Sequence, residues 1–173
     1  MNSKIQLSSR LGEGSAFSFT IVLPYAKVDG EDNADATVDY KSRMRGKRVL
    51  LTDDVEINVE IASFILEDVG IEVDTAVNGR EAVDKFLSHE PGWYDIILMD
   101  IQMPVLDGLE ATREIRRNET RPDARTIPIA AMSANAFDED MRVSVESGMN
   151  GYITKPIDND KLYELLNELI VKK

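Results

Sequence analysis

Apolar residues change rhythm at position 47. From there on, short apolar runs alternate with stretches in which apolar residues return every three or four positions. Residues 49–52 form an apolar run that ends in Asp53 and Asp54, a buried-strand pattern. Ile57, Ile61, Phe64, Ile65 and Val69 then fall at helical spacing, and Gly70 closes that helix. Glu72–Ala76 reads as a more polar strand of the kind found at a sheet edge. Gly79–Ser88 reads as a second helix with Ala82, Val83, Phe86 and Leu87 facing inward.

A strand over residues 95–99 runs into Asp100 and the turn Val105-Leu106-Asp107-Gly108. Three further helices are predicted over 109–117, 138–147 and 161–171. The last carries Leu162, Leu165, Leu166, Leu169 and Ile170 on its apolar face. Strands over 127–132 and 152–154 separate them. Five strands alternating with five helices demand a parallel sheet, because only crossover helices join parallel neighbours. Right-handed crossovers put helices on both faces.

The first 46 residues do not share this pattern. Ile5 and Leu7 alternate with polar neighbours, and Phe17, Phe19, Ile21 and Leu23 do so after the turn Leu11-Gly12-Glu13-Gly14-Ser15. This is a two-stranded hairpin with one apolar face. A lone hairpin is marginal in water and needs a sheet to join, so residues 1–24 read as part of a larger domain. Residues 25–46 read as a linker. Asp29, Gly30, Glu31, Asp32, Asn33 and Asp35 hold too little apolar surface to offset ordering entropy.

Charge narrows the function. Lys plus Arg total 20 against 32 Asp plus Glu in 173 residues, for a formal charge of -12. Such a surface argues against a nucleic-acid partner, since phosphate contacts need clustered cations. The short basic stretch Lys41, Arg43, Arg45, Lys47, Arg48 reads as a solvated flank. Cysteine is absent, which removes disulfides and thiolate metal sites and agrees with a cytoplasmic location. No apolar run is long enough to span a bilayer, so no membrane contact is expected of this segment, although a parent protein could carry an anchor.

Four polar signals fall at the carboxyl ends of the predicted strands, where ligands of open α/β sheets gather. Asp53 and Asp54 end the first strand of the alternating region, Asp100 ends the third, Ser133 the fourth and Lys155 the fifth. Crowded carboxylates cannot all stay ionised without compensation. A hard divalent cation resolves the conflict, and an all-oxygen site with few carboxylates suits Mg²⁺. Lys155 adds a positive charge and Ser133 a hydroxyl. The set describes a pocket for a tetrahedral dianion beside Asp100, with that carboxylate as nucleophile.

The segments VLLTDD, DIILMDIQMPVLDG, IAAMSAN and GYITKP make residues 47–173 resemble the receiver domain of two-component response regulators. The resemblance implies a flavodoxin-like fold with strand order 2-1-3-4-5. It implies that Asp100 accepts phosphate from phosphohistidine on a histidine kinase or histidine phosphotransfer domain. Mg²⁺ would be held by Asp54, Asp100, the backbone carbonyl of Gln102 and, through water, Asp53. Ser133 and Lys155 would contact the phosphoryl group, Lys155-Pro156 would be cis, and Tyr152 would be a switch residue that moves with Ser133. Gln102 and Asn135 would flank the mouth. The face built from the fourth helix, fifth strand and fifth helix would change on phosphorylation and offers a route to a dimer.

The upstream sequence GEGSAFSFTIVLP resembles the last strands of the ATP-binding domain of histidine kinases, without that family's remaining nucleotide motifs. Together the two resemblances suggest a receiver from a hybrid histidine kinase, and the end of the chain at its last helix favours a relay element over a transcription factor. Two other readings compete. A phosphatase of the haloacid-dehalogenase type also uses an Asp nucleophile, but it needs an acid two residues on, where Gln102 stands. A pseudo-receiver scaffold would have no use for the intact acid, serine and lysine set. His89, the only histidine, reads as a surface turn residue, and the methionines read as core or loop filler.

Overall fold

In a computed structural model, the structure describes residues 5–10, 14–19, 42–134 and 138–171. The chain divides into two compact units, residues 1–34 and 35–173. In the first, strands β1 (Ile5–Arg10) and β2 (Gly14–Phe19) pair antiparallel, with Leu7 opposite Phe17 and Ile5 opposite Phe19. This is the predicted hairpin. Ile21, Leu23 and most of the predicted linker lie outside the described residues.

The second unit holds a five-stranded parallel sheet: β3 (Arg48–Thr52), β4 (Glu72–Ala76), β5 (Ile96–Asp100), β6 (Ile129–Ser133) and β7 (Gly151–Thr154). Its order is β4-β3-β5-β6-β7, which is 2-1-3-4-5 within the unit. Helices α1 (Glu56–Asp68), α2 (Gly79–Ser88), α3 (Gly108–Arg117), α4 (Asp138–Ser147) and α5 (Asn159–Leu166) fill the connections and close the chain. A π-helical turn, Asn167–Val171, extends α5.

The period-2 geometry of a strand sorts the core into two layers. Val49, Leu51, Ile96, Leu98, Ala130 and Met132 pack with Ala62, Ile65 and Leu66 of α1 and Leu162 and Leu166 of α5. Leu50, Ile97, Met99, Ile129 and Ala131 face the other way, onto Ala82, Val83 and Phe86 of α2 and Ala111 and Ile115 of α3. Asn78, Asp107 and Asp158 cap α2, α3 and α5 by accepting from the backbone N–H groups of Glu81, Glu110 and Lys161. Among the described residues no helix is long and apolar enough to cross a membrane.

Three expectations need correction. The stripe Ile57, Ile61, Phe64 does not face the sheet: these side chains are 55%, 51% and 76% exposed, and Ala62, Ile65, Leu66 and Val69 fill the core instead. Helical spacing marked two apolar faces of α1, and the face that carries Ala62, Ile65 and Leu66 packs into the core. Leu87 is likewise 40% exposed, because it flanks the buried line of Ala82, Val83 and Phe86. Finally, ordered structure begins before residue 47. Met44, in a helical turn over 42–44, is fully buried in the α1 and α5 layer, and the N–H of Gly46 bonds the Gly70 carbonyl at 2.8 Å.

Candidate functional site

Parallel pairing brings the carboxyl ends of β3, β5, β6 and β7 to one edge of the sheet. Asp53 and Asp54 follow β3, Asp100 and Ser133 are the last residues of β5 and β6, and Lys155 follows β7. The registers tie these ends together. The N–H of Ile101 bonds the Met132 carbonyl at 3.1 Å, and the N–H of Lys155 bonds the Ser133 carbonyl at 2.7 Å. The sequence-predicted acids, hydroxyl and lysine therefore share one edge.

Oxygens of Asp53, Asp54 and Asp100 lie within 4.8 Å of one another. Asp53 and Asp100 are buried, while Asp54 is exposed. Lys155 donates from Nζ to Asp53 Oδ2 at 2.5 Å and to Asp100 Oδ2 at 2.6 Å. Asp53 Oδ1 also accepts from the N–H of Val55 at 3.0 Å and from the amide of Asn58 at 3.1 Å. Among the described residues, Asp100 Oδ1 accepts only a long bond, 3.2 Å, from the N–H of Gln102. Asp53 is thus held on both oxygens, and Asp100 keeps the less committed one.

Electrostatics set the two anchored partners apart. Burial pushes the Asp100 carboxyl above its ordinary range, and Lys155 and the Gln102 N–H offset only part of that. Burial alone would lower Lys155, but its hydrogen bonds to Asp100 and Asp53 outweigh that and raise it. The contact helps Lys155 keep its proton and offsets only part of the desolvation of Asp100. Three carboxylates against one ammonium leave excess negative charge. The donor set is all oxygen, with one exposed carboxylate facing solvent, which fits Mg²⁺.

Two glycines permit the loop over 101–108. A Cβ at Gly108 would lie 2.0 Å from the Asp100 carbonyl oxygen, and one at Gly79 would lie 2.5 Å from that of Leu106. The loop walls a hollow of about 440 Å³ together with Asp54. A smaller hollow of about 80 Å³ lies between Asn58 and Ile61 of α1 and Lys155, Pro156 and Ile157. The Lys155-Pro156 bond is cis, as expected. Tyr152 is half-buried on β7 against the α2 and α3 layer, and Asn135 lies outside the described residues.

The sequence reading missed Asn58, whose clue was a lone amide in the first turn of the helix that follows Asp53 and Asp54. It missed the exposed stripe of α1, and it missed Val105, which adopts a left-handed φ of 71°. Pattern alone gives no signal for a valine in that conformation.

Comparison with known proteins agrees with this geometry. The family model "Response regulator receiver domain" matches residues 49–167. The Escherichia coli aerobic respiration control sensor protein ArcB is 34% identical over 157 residues, which cover 91% of this chain, and the chain spans 19% of ArcB's length. The receiver domain of sensor histidine kinase PA1611 from Pseudomonas aeruginosa has a solved structure with a magnesium ion coordinated in its active site cleft. It is 35% identical, with a TM-score of 0.66, over 73% of this chain and 99% of that one. A co-crystal structure of the Saccharomyces cerevisiae histidine phosphotransfer protein Ypd1 with the receiver domain of Ssk1 matches at 32% identity and a TM-score of 0.63, over 72% of this chain and 89% of that one. The chain belongs to the response regulator receiver family.

Proposed function

We propose that this chain accepts a phosphoryl group on Asp100 from a phosphohistidine and holds it as a signal, as the receiver segment of a hybrid histidine kinase. The observation that carries the proposal is a buried, under-committed Asp100 carboxylate 2.6 Å from Lys155 and within reach of Asp53 and Asp54. An Asp100 carboxylate oxygen forms the new bond to phosphorus as the P–N bond of the phosphohistidine breaks, and the imidazole leaves with the electron pair and takes up a proton. Lys155 counters charge on the phosphoryl oxygens, and Ser133 offers them its hydroxyl. Asp54, Asp100 and the Gln102 carbonyl would hold Mg²⁺, with Asp53 behind a water. When bound, the cation supplies further neutralisation of the transferring group.

The donor domain has an apolar landing next to this site. Ile57, Ile61 and Phe64 stand exposed on α1, and Ile61 borders the hollow shared with Lys155. A patch of this kind marks an interaction surface. Charging then draws Ser133 toward the phosphate and lets Tyr152 turn inward, which alters the face of α4, β7 and α5. Met141 and Val145 are exposed there, and a second copy or a reader domain would sense the change. Hybrid origin is supported by the hairpin upstream and by the ArcB match, which extends over 91% of the chain. Gln102 cannot serve as the general acid that a haloacid-dehalogenase phosphatase needs.

Incubation with acetyl phosphate and Mg²⁺, read by intact mass, tests the reading. One labile phosphate per chain is expected, absent in Asp100→Asn. Continuous multiple turnover would indicate a phosphatase instead, and no mass change would indicate a scaffold.

A further inference from the structure

We propose that Asn58 is a positioning residue for the cation site: it holds Asp53 at a fixed angle, and the carboxylate cluster takes up Mg²⁺ more tightly for it. The inference rests on the reading of this edge as an Mg²⁺-assisted acceptor site. The three acids are not equally free. Asp53 is bonded on both oxygens, and Asp100 is bonded firmly on one. Asp54 has no hydrogen-bond partner among the described residues. A small cation that demands near-octahedral geometry needs at least one carboxylate that stays put. Asp53, only 2% exposed, is that one.

Three donors hold Asp53, and they differ in kind. The N–H of Val55, at 3.0 Å, is backbone that any sequence supplies. Lys155, at 2.5 Å, is shared with Asp100 and turns toward the phosphoryl oxygens when a phosphate arrives. Among the described residues, only the Asn58 amide, 3.1 Å from Asp53 Oδ1, is a side-chain donor given to Asp53 alone. With that amide in place, Asp53 keeps its angle about the Cβ–Cγ bond when Lys155 lets go. Without it, the carboxylate turns onto the ammonium. A closer Asp53–Lys155 pair then competes with a cation for the same oxygens.

The position is a poor one for asparagine if the helix alone is considered. Asn58 stands in the first turn of α1, where its side chain loses freedom and adds no packing. Val55, at the helix start, makes no side-chain cap, and the Asn58 amide bonds Asp53 instead of serving the helix. The same side chain borders the hollow of about 80 Å³ beside Lys155, so it adjoins both members of the Asp53–Lys155 pair. Partners behind a metal-binding carboxylate orient it and set its affinity.

Calorimetric titration of Mg²⁺ into the unphosphorylated full chain reads the site without any phosphodonor. Asn58→Leu removes the donor at similar volume, and Asn58→Ala removes it while favouring the helix. In each variant the Mg²⁺ dissociation constant is expected to rise about tenfold, the low end for loss of a hydrogen bond behind a ligand. Acetyl phosphate labelling across Mg²⁺ concentrations should show the half-saturating concentration rising by the same factor, with the plateau rate kept. A role confined to the helix start would move the denaturant midpoint and leave Mg²⁺ affinity unchanged, and that result overturns the proposal. So does a lowered plateau at unchanged half-saturation, which would place Asn58 in the transfer step itself. If the unaltered chain takes up no Mg²⁺, the cation site falls and takes the proposal with it. If it takes up Mg²⁺ but Asp100 stays unlabelled, the acceptor assignment falls, and the calorimetry still decides for or against Asn58.

Discussion

The two ends of the sheet handle buried charge in opposite ways. At the carboxyl end, Asp53, Asp54 and Asp100 share a single ammonium, Lys155. At the amino end, Arg116 is half-buried with no carboxylate partner among the described residues. It donates to the carbonyls of Gly148 at 2.9 Å, Ala124 at 2.8 Å and Ile127 at 2.8 Å, and to the Asn150 amide oxygen at 2.8 Å. Burial lowers its pKa to about 10. Arg121 sits nearby over the Phe86 ring and bonds Asp123 and the carbonyls of His89 and Glu90. Each cation there is surrounded by fixed dipoles and has no acceptor left to find. The anions at the other end still lack a counter-charge. Chemistry belongs at the end whose charge is unresolved, and rigidity at the end whose charge is complete.

Lys155→Met breaks the comparison most severely. It removes the only cation on the carboxylate cluster among the described residues, and with it the positive charge that would face a phosphoryl group. The rate of phosphorylation by acetyl phosphate is expected to fall about 100-fold or more, as for loss of one preorganised donor at a charged transition state. Intact-mass time courses would show this. A near-normal rate would mean that Lys155 serves only to keep Asp53 and Asp100 together.

Arg116→Met probes the opposite end. Methionine fills similar volume but leaves three carbonyls without the Arg116 donor, while the Asn150 amide oxygen keeps the N–H of Ile129. A loss of about 3 kcal/mol in denaturant unfolding is expected, within the range for breaking a buried charged network. Acetyl phosphate labelling of the variant that remains folded should be unaffected, since Arg116 touches none of the site residues. Arg116→Lys should recover only part of the stability, because an ammonium cannot serve four spread acceptors.

Asp100→Asn sharpens the contrast. Its buried carboxylate has a raised pKa, so the folded state binds the proton more tightly than the unfolded chain does. Stability therefore falls as pH rises from the ordinary carboxylate value through the raised one, and the full cost remains at neutral pH. Removing the charge should stabilise the Mg²⁺-free protein at neutral pH, read as a higher denaturant midpoint. Lys155 keeps Asp53 as partner, so no buried cation is orphaned. The gain should shrink as pH falls toward the carboxylate range. A destabilised Asp100→Asn would show that the Lys155 contact outweighs burial after all.

These differences also mark what the sequence could disclose. Asp53, Asp54, Asp100, Ser133 and Lys155 were legible because each acts at a strand end, and strand ends follow from apolar runs and turns; the sheet order came only from the resemblance to a known family, since spacing does not carry it. The arginine network was not. Its acceptors are backbone carbonyls at residues 124, 127 and 148, which any sequence supplies, so nothing in the sequence sets Arg116 apart from its neighbour Arg117. The outward face of α1 was illegible for a different reason. Ile57, Ile61 and Phe64 share the spacing of core residues, and spacing alone does not say which apolar face turns inward. Val105 was hidden because its φ is set by bonds between other residues of the loop.

Tyr94→Phe tests the smallest element of the contrast, a charge at the edge strand that is paired without being deeply buried. The Tyr94 hydroxyl donates to Asp74 Oδ2 at 2.5 Å, and Lys85 Nζ donates to Asp74 Oδ1 at 2.9 Å. Partial burial alone would raise Asp74, but these two donors lower its pKa, while burial and the Asp74 bond push the Tyr94 phenol up. For Asp74 the folded pKa is depressed, so its stabilisation is present above the ordinary carboxylate value and is lost as pH falls through the depressed one. For Tyr94 the folded pKa is raised, so its share is complete below the ordinary phenol value and is lost only as pH rises through the raised one. The Asp74 side chain is 37% exposed, so water screens the pair. Phenylalanine should cost about 0.5 kcal/mol at neutral pH, the low end for a single hydrogen bond. That cost should vanish in acid, where protonated Asp74 no longer needs the donor, and at alkaline pH beyond the phenol's raised range. Denaturant midpoints across pH would trace this plateau. A cost that persisted unchanged in acid would place the role of Tyr94 in packing against His89 and the α2 layer, independent of its hydroxyl.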